Sequence, residues 1–186
     1  MKKIVITGGL GYIGTELCKI YSGFSWNDKI TVIDNRFISE RVNQIRNWNM
    51  NFIHGDILDK ELIKKHCADA DVVHHLAGIT DVPRVKSEIK FDTDKLINQV
   101  AKEGTQNILD VISDRCKIIM PSSHVVYEGL ESIKKDIGEN EKTSPVLSYG
   151  KSKDINEKQL KSSGKNFIIL RLGSVYGYSS DTARID

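Results

Sequence analysis

Close to its N-terminus the chain reads Thr7-Gly8-Gly9-Leu10-Gly11-Tyr12-Ile13-Gly14, directly after the apolar run Lys3–Thr7. Gly9, Gly11 and Gly14 fit the spacing G-x-G-x-x-G, and Gly8, Gly11 and Gly14 fit G-x-x-G-x-x-G. Glycines at a strand-to-helix turn let a pyrophosphate approach the main chain, and the helix offers it unpaired N–H groups and a positive dipole end. The stretch therefore predicts a dinucleotide-binding turn between a first strand and a helix at residues 12–21.

An acidic residue follows the glycine turn at the distance that a dinucleotide site needs. Asp34 ends a second apolar run and lies 20 residues after Gly14. A carboxylate there accepts hydrogen bonds from the adenosine ribose, and it favours NAD because the 2′-phosphate of NADP would meet a negative charge. Arg36 keeps three alternatives open, since it could reach a 2′-phosphate, lie over the adenine, or be a solvated surface arginine.

The rest of the chain alternates short apolar runs with helical patterns. Further strands are predicted at residues 30–34, 51–54, 71–76, 117–120 and 167–171. The clearest helical pattern covers residues 93–113, with an apolar stripe of Ile97, Val100, Ala101, Ile108 and Ile112. A polar stretch at residues 129–148 predicts a long loop. Near-continuous apolar strands alternating with helices predict an α/β fold, a doubly wound parallel sheet of the Rossmann type.

Composition narrows the class of protein. The 186 residues carry a formal net charge of only +2 and no basic block, so we expect neither nucleic acid nor a membrane surface as partner. No apolar run approaches the length of a membrane span, and the N-terminal run is too short for a signal peptide, which predicts a cytoplasmic protein. Cys18, Cys67 and Cys116 have no metal or disulfide spacing and are expected to be reduced thiols.

A second motif carries chemistry. Tyr149 and Lys153 are four residues apart, which on a helix places them one turn apart on one face. A phenol with its ordinary pKa of about 10 is a poor acid–base catalyst at neutral pH, and a neighbouring ammonium lowers that pKa. This spacing is common by chance, but here it follows a dinucleotide motif and lies between the fifth and sixth predicted strands.

These and four further motifs together resemble the extended short-chain dehydrogenase/reductases, especially the NAD-dependent nucleotide-sugar epimerase/dehydratase group. The matching stretches are T-G-G-x-G-Y-I-G at residues 7–14, D-N at Asp34-Asn35, G-D-I-x-D at residues 55–59, H-L-A-G at residues 75–78, S-S-x-x-V-Y at residues 122–127 and, less closely, R-x-x-N-V-Y-G at residues 171–177. The resemblance covers essentially the whole chain.

The resemblance implies a catalytic triad of Ser123, Tyr149 and Lys153, in which Lys153 also binds the nicotinamide ribose. The alternative for Ser123 is a serine that caps the turn after the fifth strand. The implied cofactor-binding residues are Gly8, Gly11, Tyr12, Ile13, Gly14, Asp34, Asn35, Arg36, Asp56, Ile57, Leu76, Ala77, Gly78, Tyr149 and Lys153.

Some positions depart from the family pattern. Ala101 and Ser174 stand where asparagines are common, and Val125 lies where a 4,6-dehydratase has an acid–base residue. Val125 cannot transfer a proton, which argues against a dehydratase. Members of the family also carry a C-terminal region that closes over the sugar nucleotide. We therefore expect residues 1–186 to form the NAD-binding Rossmann domain without that substrate domain.

The predicted function is that of an NAD-dependent nucleotide-sugar epimerase, with hydride transfer at a sugar carbon. The alternatives are an NAD(P)-dependent sugar-nucleotide reductase and a dinucleotide-binding module without turnover. A homodimer through the helices near residues 93–113 and 149–162 is what the family implies. His74 and His75 suggest no metal site, because adjacent residues of a strand point to opposite faces.

Overall fold

The computed structural model describes residues 1–24, 28–80, 91–132 and 136–177. A six-stranded parallel sheet has the order β3-β2-β1-β4-β5-β6. Its strands are β1 (Lys3–Thr7), β2 (Lys29–Asp34), β3 (Asn51–His54), β4 (Val72–His75), β5 (Lys117–Ser123) and β6 (Asn166–Leu172). This order, with helices on both faces, confirms the predicted doubly wound fold.

Two helical layers cover the sheet. The helices are α1 (Tyr12–Ser22), α2 (Ser39–Asn47), α3 (Lys60–Cys67), α4 (Phe91–Gln99), α5 (Thr105–Val111) and α6 (Ser148–Ser162), with a π-helical turn at Val100–Gly104 and a 3₁₀ turn at His124–Tyr127. One core packs α1 and α2 through Cys18 and Ile45, and the other packs α3, α5 and α6 through Ile63, Ile108 and Leu160.

The order of the strands predicts which edge of the sheet binds a ligand. Successive strands run outward from β1 in one direction and from β4 in the other, so the chain reverses its course between these neighbours. The carboxyl ends of β1 and β4 flank a crevice at such a switch point, which is where ligands of this architecture bind. The glycine turn follows β1 and residues 76–78 follow β4, so both predicted cofactor segments meet there.

The prediction of one continuous helix over residues 93–113 was wrong, because a π-helical turn divides it into two α-helices. The segment begins at Phe91, passes through the π-helical turn and ends at Val111. Its apolar stripe is confirmed, because Ile97, Ala101, Ile108 and Ile112 are all buried. The turn lies where Gly104 packs so closely on Ile57 that a Cβ at residue 104 would clash with that side chain.

Strand β5 is longer than the sequence predicted, which ended it at Met120. Parallel pairing with β6 continues through Pro121, Ser122 and Ser123. The extension matters because it places Ser122 and Ser123 within the sheet edge rather than in a loop. The smaller differences are at the ends of β2, β4 and β6, by one residue at each differing end.

Within the described part of the chain, one face of β6 is partly exposed. Ile168 and Leu170 point to the same face and remain 39% and 45% exposed. Register pairs them with Ile119 and Pro121 of β5, which lie on that face and are partly exposed. Strands inside a doubly wound sheet are ordinarily covered on both faces, so this part of the sheet differs from β1 and β4.

The polar stretch predicted as a loop has no helix or strand in its described parts, 129–132 and 136–147. It is fastened to the fold, because Gly129 N donates to Ser144 O at 2.8 Å. The Glu128 carboxylate accepts from Val146 N and Leu147 N at the N-terminus of α6. Lys134 and Lys135, like Trp26, lie outside the described residues.

The three cysteines are buried, unpaired thiols, as the sequence predicted for the reduced state. Burial raises the pKa of Cys18 and Cys67 to about 12, so these thiols stay protonated at neutral pH. Among the helices of the described residues, none has the length and apolar character needed to span a membrane.

Candidate active site

The glycine turn is compact because its glycines are packed against backbone. Gly8 has a φ of +70°, and a Cβ there would lie 2.6 Å from Ala77 N. A Cβ on Gly14 would clash with the carbonyl oxygen of Gly8. Gly11 is different, since its Cβ would meet only Gly8 O at 3.2 Å and Arg36 Nη2 at 3.6 Å. The fold itself requires Gly8 and Gly14, whereas a Cβ on Gly11 would make a tight contact with Gly8 O but no severe clash.

The N-terminus of α1 is open to an anion. Gly11 is its N-cap and supplies no side-chain hydrogen bond, and the first turn holds no acidic residue. The first amides of a helix have no acceptor within the helix, so those of Tyr12, Ile13 and Gly14 present a positive end to this side of the turn. The Tyr12 phenol donates to Gly177 O at 2.8 Å, which ties α1 to the segment after β6.

Asp34 has a structural function that the sequence did not reveal. Its carboxylate is 5% exposed and accepts from Leu10 N of the glycine turn at 2.9 Å. The other oxygen accepts from the Arg36 backbone amide at 3.0 Å and from Arg36 Nε at 3.3 Å. Asp34 therefore fixes the glycine turn and draws the Arg36 guanidinium over Gly11.

The residues that the resemblance predicts to border the adenine follow directly after β2 and β3. Asn35 Nδ2 donates to Asp56 Oδ2 at 2.9 Å, and Asp56 Oδ1 accepts from Leu58 N at 2.9 Å. Ile57 is buried, and its carbonyl accepts from Asn107 Nδ2 at 3.0 Å. These contacts hold the backbone of residues 56–58 in one conformation next to the end of β2.

The segment after β4 connects the glycine turn to helix α6. Leu76 N donates to Thr7 O at 3.0 Å, and Ala77 N donates to Thr7 Oγ1 at 3.4 Å. A Cβ on Gly78 would lie 3.9 Å from Lys153 Nζ. The predicted cofactor segment thus ends beside the predicted catalytic lysine.

Tyr149 and Lys153 lie one turn apart on α6, as predicted. Lys153 Nζ is 5.7 Å from the centroid of the Tyr149 ring and donates to Pro121 O at 3.1 Å. The lysine is 8% exposed, and burial lowers its pKa to about 8. A buried ammonium with further N–H groups available can bind hydroxyl oxygens and stabilise a phenolate.

Ser123 lies at the end of β5 and is 9% exposed. Its Oγ accepts from Val125 N at 3.4 Å, so it caps the 3₁₀ turn, which was the alternative to catalysis. The bond uses only the acceptor capacity of the hydroxyl and leaves its hydrogen able to donate. The catalytic function of Ser123 stays a prediction.

A buried ion pair beside the site was missed by the sequence analysis. Glu157, 1% exposed, accepts from Arg171 Nε at 2.8 Å and Nη2 at 2.6 Å, from Ser122 Oγ at 2.7 Å and from Lys161 Nζ at 2.9 Å. Burial alone would raise the pKa of Glu157, but the hydrogen bonds from Arg171, Ser122 and Lys161 outweigh it and lower the pKa to about 2. Arg171 also lies over the Tyr127 ring, 5.0 Å from its centroid.

The two adjacent histidines point to opposite faces, as predicted. His74 Nε2 is 2.8 Å from the Tyr21 hydroxyl, whereas His75 contacts the hydroxyls of Thr7 and Thr105 at 2.9 Å each. Across the described ranges, no three histidine, cysteine or acidic side chains gather as a metal site would require.

Comparison with known proteins assigns the family. The model of the 3-beta hydroxysteroid dehydrogenase/isomerase family matches residues 5–181. The chain belongs to this family. The match and the relatives below confirm the resemblance to NAD-dependent epimerase/dehydratase proteins.

Sequence relatives of this family member include a dTDP-D-glucose 4,6-dehydratase of Dictyostelium discoideum, 31% identical over 95% of this chain and 44% of that protein. A UDP-glucose 4-epimerase of Mycoplasma genitalium is 30% identical over 94% of this chain and 53% of that protein. The chain spans about half the length of the curated relatives it matches.

Solved structures give the same result. The UDP-N-acetylglucosamine 4-epimerase of Methanobrevibacter ruminantium superposes with a TM-score of 0.80 at 28% identity, over 99% of this chain and 58% of that one. The UDP-glucuronic acid 4-epimerase of Bacillus cereus, solved in complex with NAD, has a TM-score of 0.77 at 25% identity, over 97% and 60% of the two chains.

Proposed function

We propose that this chain is the cofactor-binding part of an NAD-dependent nucleotide-sugar epimerase that transfers hydride at a sugar carbon. The observation that carries the proposal is the position of Lys153. Its ammonium lies 5.7 Å from the centroid of the Tyr149 ring and 3.9 Å from the position that a Cβ on Gly78 would take, where the predicted cofactor segment ends. In this proposal the cofactor site and the acid–base pair share the Lys153 ammonium.

The residues of the crevice fit a dinucleotide. The absence of a side chain at Gly11 and the uncapped N-terminus of α1 suit a pyrophosphate, and Asp34 lies at the end of β2 where an adenosine ribose is bound in this architecture. Residues 56–58 would border the adenine, and Leu76, Ala77 and Gly78 would line the path to the nicotinamide. The NAD complexes among the structural neighbours support this cofactor.

We further propose NAD rather than NADP. The Asp34 carboxylate is buried and already holds Leu10 N, so its negative charge is a fixed part of the turn. A 2′-phosphate beside it would be repelled. Arg36 is bonded to Asp34, which partly neutralises the arginine's charge and weakens it as a phosphate ligand.

The residues of the site perform proton chemistry in this proposal. Tyr149 takes the proton of a sugar hydroxyl, while Lys153 stabilises the phenolate and holds the nicotinamide ribose. Ser123 donates a hydrogen bond to the reacting sugar oxygen. When held by the glycine turn and Lys153, NAD would supply a reversible hydride acceptor for the sugar carbon.

The competing function is a dinucleotide-binding module without turnover. The chain spans about half the length of its curated relatives, so the activity of the whole relatives is carried over here only as a proposal. We also propose, on the sequence pattern alone, that residues 1–186 form one Rossmann domain and that the protein is cytoplasmic.

A turnover assay separates the two functions. The chain is incubated with NAD and, separately, UDP-glucose, UDP-N-acetylglucosamine or UDP-glucuronate, and the anomeric protons are followed by NMR while NADH absorbance is recorded. Epimerisation predicts a second sugar isomer, lost in Tyr149→Phe and retained in Tyr176→Phe, whose phenol is 93% exposed. Net NADH formation or consumption would favour a reductase. If neither the NMR spectrum nor the NADH absorbance changes with any sugar, the epimerase proposal fails and the binding module without turnover is favoured.

A further inference from the structure

A chain of four buried polar side chains crosses the interior from the glycine turn to helix α6. His75 Nδ1 lies 2.9 Å from Thr7 Oγ1, and His75 Nε2 lies 2.9 Å from Thr105 Oγ1. Asn156 Nδ2 donates to the same Thr105 hydroxyl at 2.8 Å. The four residues belong to β1, β4, α5 and α6, so one continuous set of contacts joins four elements.

Both ends of this polar chain lie at the candidate active site. At one end, Thr7 Oγ1 accepts from Ala77 N, in the segment that would line the cofactor. At the other end, Asn156 is three residues after Lys153, so the two share one face of α6. Both side chains are buried, at 5% and 8% exposure.

The π-helical turn takes part in the linkage. Asn156 Nδ2 also donates to Ala101 O at 2.7 Å, and Gln159 Nε2 donates to Lys102 O at 2.8 Å. Two side-chain amides of α6 therefore bind successive carbonyls of the turn. π-Helical turns are frequently found at functional sites, and this one ends next to Thr105.

The chemistry of the chain suits a neutral imidazole. A neutral histidine has one donor and one acceptor nitrogen, which two hydroxyl groups can satisfy. Burial, together with the charge of Lys153, lowers the pKa of His75 to about 3. His75 therefore remains uncharged next to Lys153 at neutral pH and adds no repulsion to a site that already holds a buried cation.

We propose that Thr7, His75, Thr105 and Asn156 form a positioning linkage that sets α6, and with it Tyr149 and Lys153, against the cofactor segment. The inference rests on the proposed function in that Lys153 is taken as the reacting lysine. His75, Thr105 and Asn156 act through Lys153 and touch no substrate in this account.

The test removes one hydroxyl from the linkage. Thr105→Val keeps the shape of the side chain but breaks the bonds to His75 and Asn156, and Thr105→Ser restores the hydroxyl. Thr143→Val is the control, because Thr143 also bonds α6, donating to Asp154 Oδ1 at 2.7 Å, but does not reach His75. NAD affinity is measured by calorimetry, and the Lys153 pKa by NMR of lysine-labelled protein without NAD, with Lys153→Met for assignment.

We expect Thr105→Val to bind NAD at least fivefold more weakly and to raise the Lys153 pKa by about one unit, because a displaced α6 admits water to the ammonium. Thr105→Ser should restore both values. Unchanged affinity and pKa in Thr105→Val, or equal changes in Thr143→Val, would overturn the linkage. If the wild-type protein binds no NAD, the proposed function fails, and the pKa in the NAD-free protein still decides this inference.

A second pair of variants covers the case in which Thr105→Val does not fold. His75→Leu breaks the linkage, whereas His74→Leu removes the adjacent imidazole, which bonds Tyr21 on the opposite face of the sheet. We expect His75→Leu alone to move the Lys153 pKa. The same shift in both variants would mean that the effect is one of general stability, and the proposal would be withdrawn.

Discussion

The ammonium of Lys153 lies 5.7 Å from the centroid of the Tyr149 ring and donates to Pro121 O at the end of β5. The residue is buried on α6, and burial lowers its pKa to about 8. A cation in such surroundings destabilises the fold unless it has compensating partners. Its position at the edge of the sheet where the glycine turn lies is the reason we propose a chemical function for it.

The first prediction concerns the pH dependence of stability that Lys153 causes. Its pKa is lower in the folded protein than its ordinary 10.5, so the unfolded chain binds the extra proton between pH 8 and 10.5. The free energy of unfolding should therefore rise with pH across this window by about 3 kcal/mol more in wild type than in Lys153→Met. Urea denaturation at pH 7.5, 9 and 10.5 measures the difference. Parallel curves for the two proteins would contradict the assignment of a buried ammonium.

The second prediction concerns the loss of stability at low pH that Glu157 causes. The pKa of Glu157 is about 2 in the folded protein against an ordinary 4.5, so the stability it contributes is complete above pH 4.5 and is lost as the pH falls towards 2. Glu157→Gln should lower the free energy of unfolding at pH 7 by about 3 kcal/mol, because Arg171 is left without its carboxylate. Thermal unfolding from pH 7 to pH 2.5 measures both effects. The exposed Glu131→Gln is the control and should leave the curve unchanged, whereas an equal loss in both variants would exclude the ion pair as the cause.

The same pH series distinguishes the contribution of His75 to stability from that of Glu157, because the two residues titrate in different pH ranges. The pKa of His75 is lowered to about 3 from an ordinary 6.5, so its contribution to stability is lost as the pH falls from 6.5 to 3. His75→Gln should flatten the stability curve between pH 6.5 and 5.5, where Glu157→Gln should change the slope little. Since burial also lowers the pKa of His74, the slope in this window should decrease in His75→Gln rather than vanish. An unchanged slope would mean that His75 is charged in the folded protein.

The third prediction distinguishes the glycines of the turn. Gly14→Ala should lower the free energy of unfolding by more than about 3 kcal/mol, because its Cβ would clash with Gly8 O. Gly11→Ala should stay within about 1 kcal/mol of wild type, since its nearest contact would be 3.2 Å, yet bind NAD at least tenfold more weakly. Thermal unfolding and NAD titration test the pair. Equal stability of both variants would contradict the described packing of the turn.

The fourth prediction concerns the choice of cofactor. Arg36→Ala should change NAD affinity by less than about threefold, because Arg36 is bonded to Asp34 and would not be required by the diphosphate. Asp34→Ser should lower the preference for NAD over NADP by at least tenfold, since the repelling charge is removed. Competitive titrations with both dinucleotides measure the ratio. A wild-type preference for NADP that Arg36→Ala abolishes would reverse the proposed selectivity.

The fifth prediction is the homodimer. The outward residues of α4, α5 and α6 are mostly polar, including Lys151, Lys158 and Lys161, but Leu96 is 47% exposed. If these helices form the interface that the family implies, Leu96→Glu should yield a monomer, whereas Ile20→Glu on α1 should remain dimeric. Light scattering across a concentration series tests this. A wild-type protein that remains monomeric at high concentration would show that the dimer prediction is wrong.

The strands and the glycine turn followed from local sequence. Apolar runs marked every strand, and Asn51–His54 has the predicted bounds. Local patterns carry this information because buried parallel strands need continuous apolar residues and the turn needs glycine at fixed positions. The apolar stripe with Ile97 and Ile108 was likewise legible, since burial follows helical periodicity.

The features that the sequence did not reveal depend on partners distant in the chain. The π-helical turn is bound by amides of Asn156 and Gln159, more than fifty residues away. The Glu157 pair needs Arg171 from another element, and the contact of Asp34 with Leu10 N needs the folded turn. Local periodicity does not encode such contacts, because they form between residues that only the tertiary packing brings together.

The most direct test of the central claim is a calorimetric titration of NAD into the purified chain. We expect one site with a Kd in the range of about 1–100 μM, abolished by Gly11→Asp, which puts a carboxylate where the pyrophosphate would lie, and retained in Tyr149→Phe. A folded wild-type chain that takes up no NAD, or a Gly11→Asp protein that binds it as well as wild type, would rule out the proposed cofactor site.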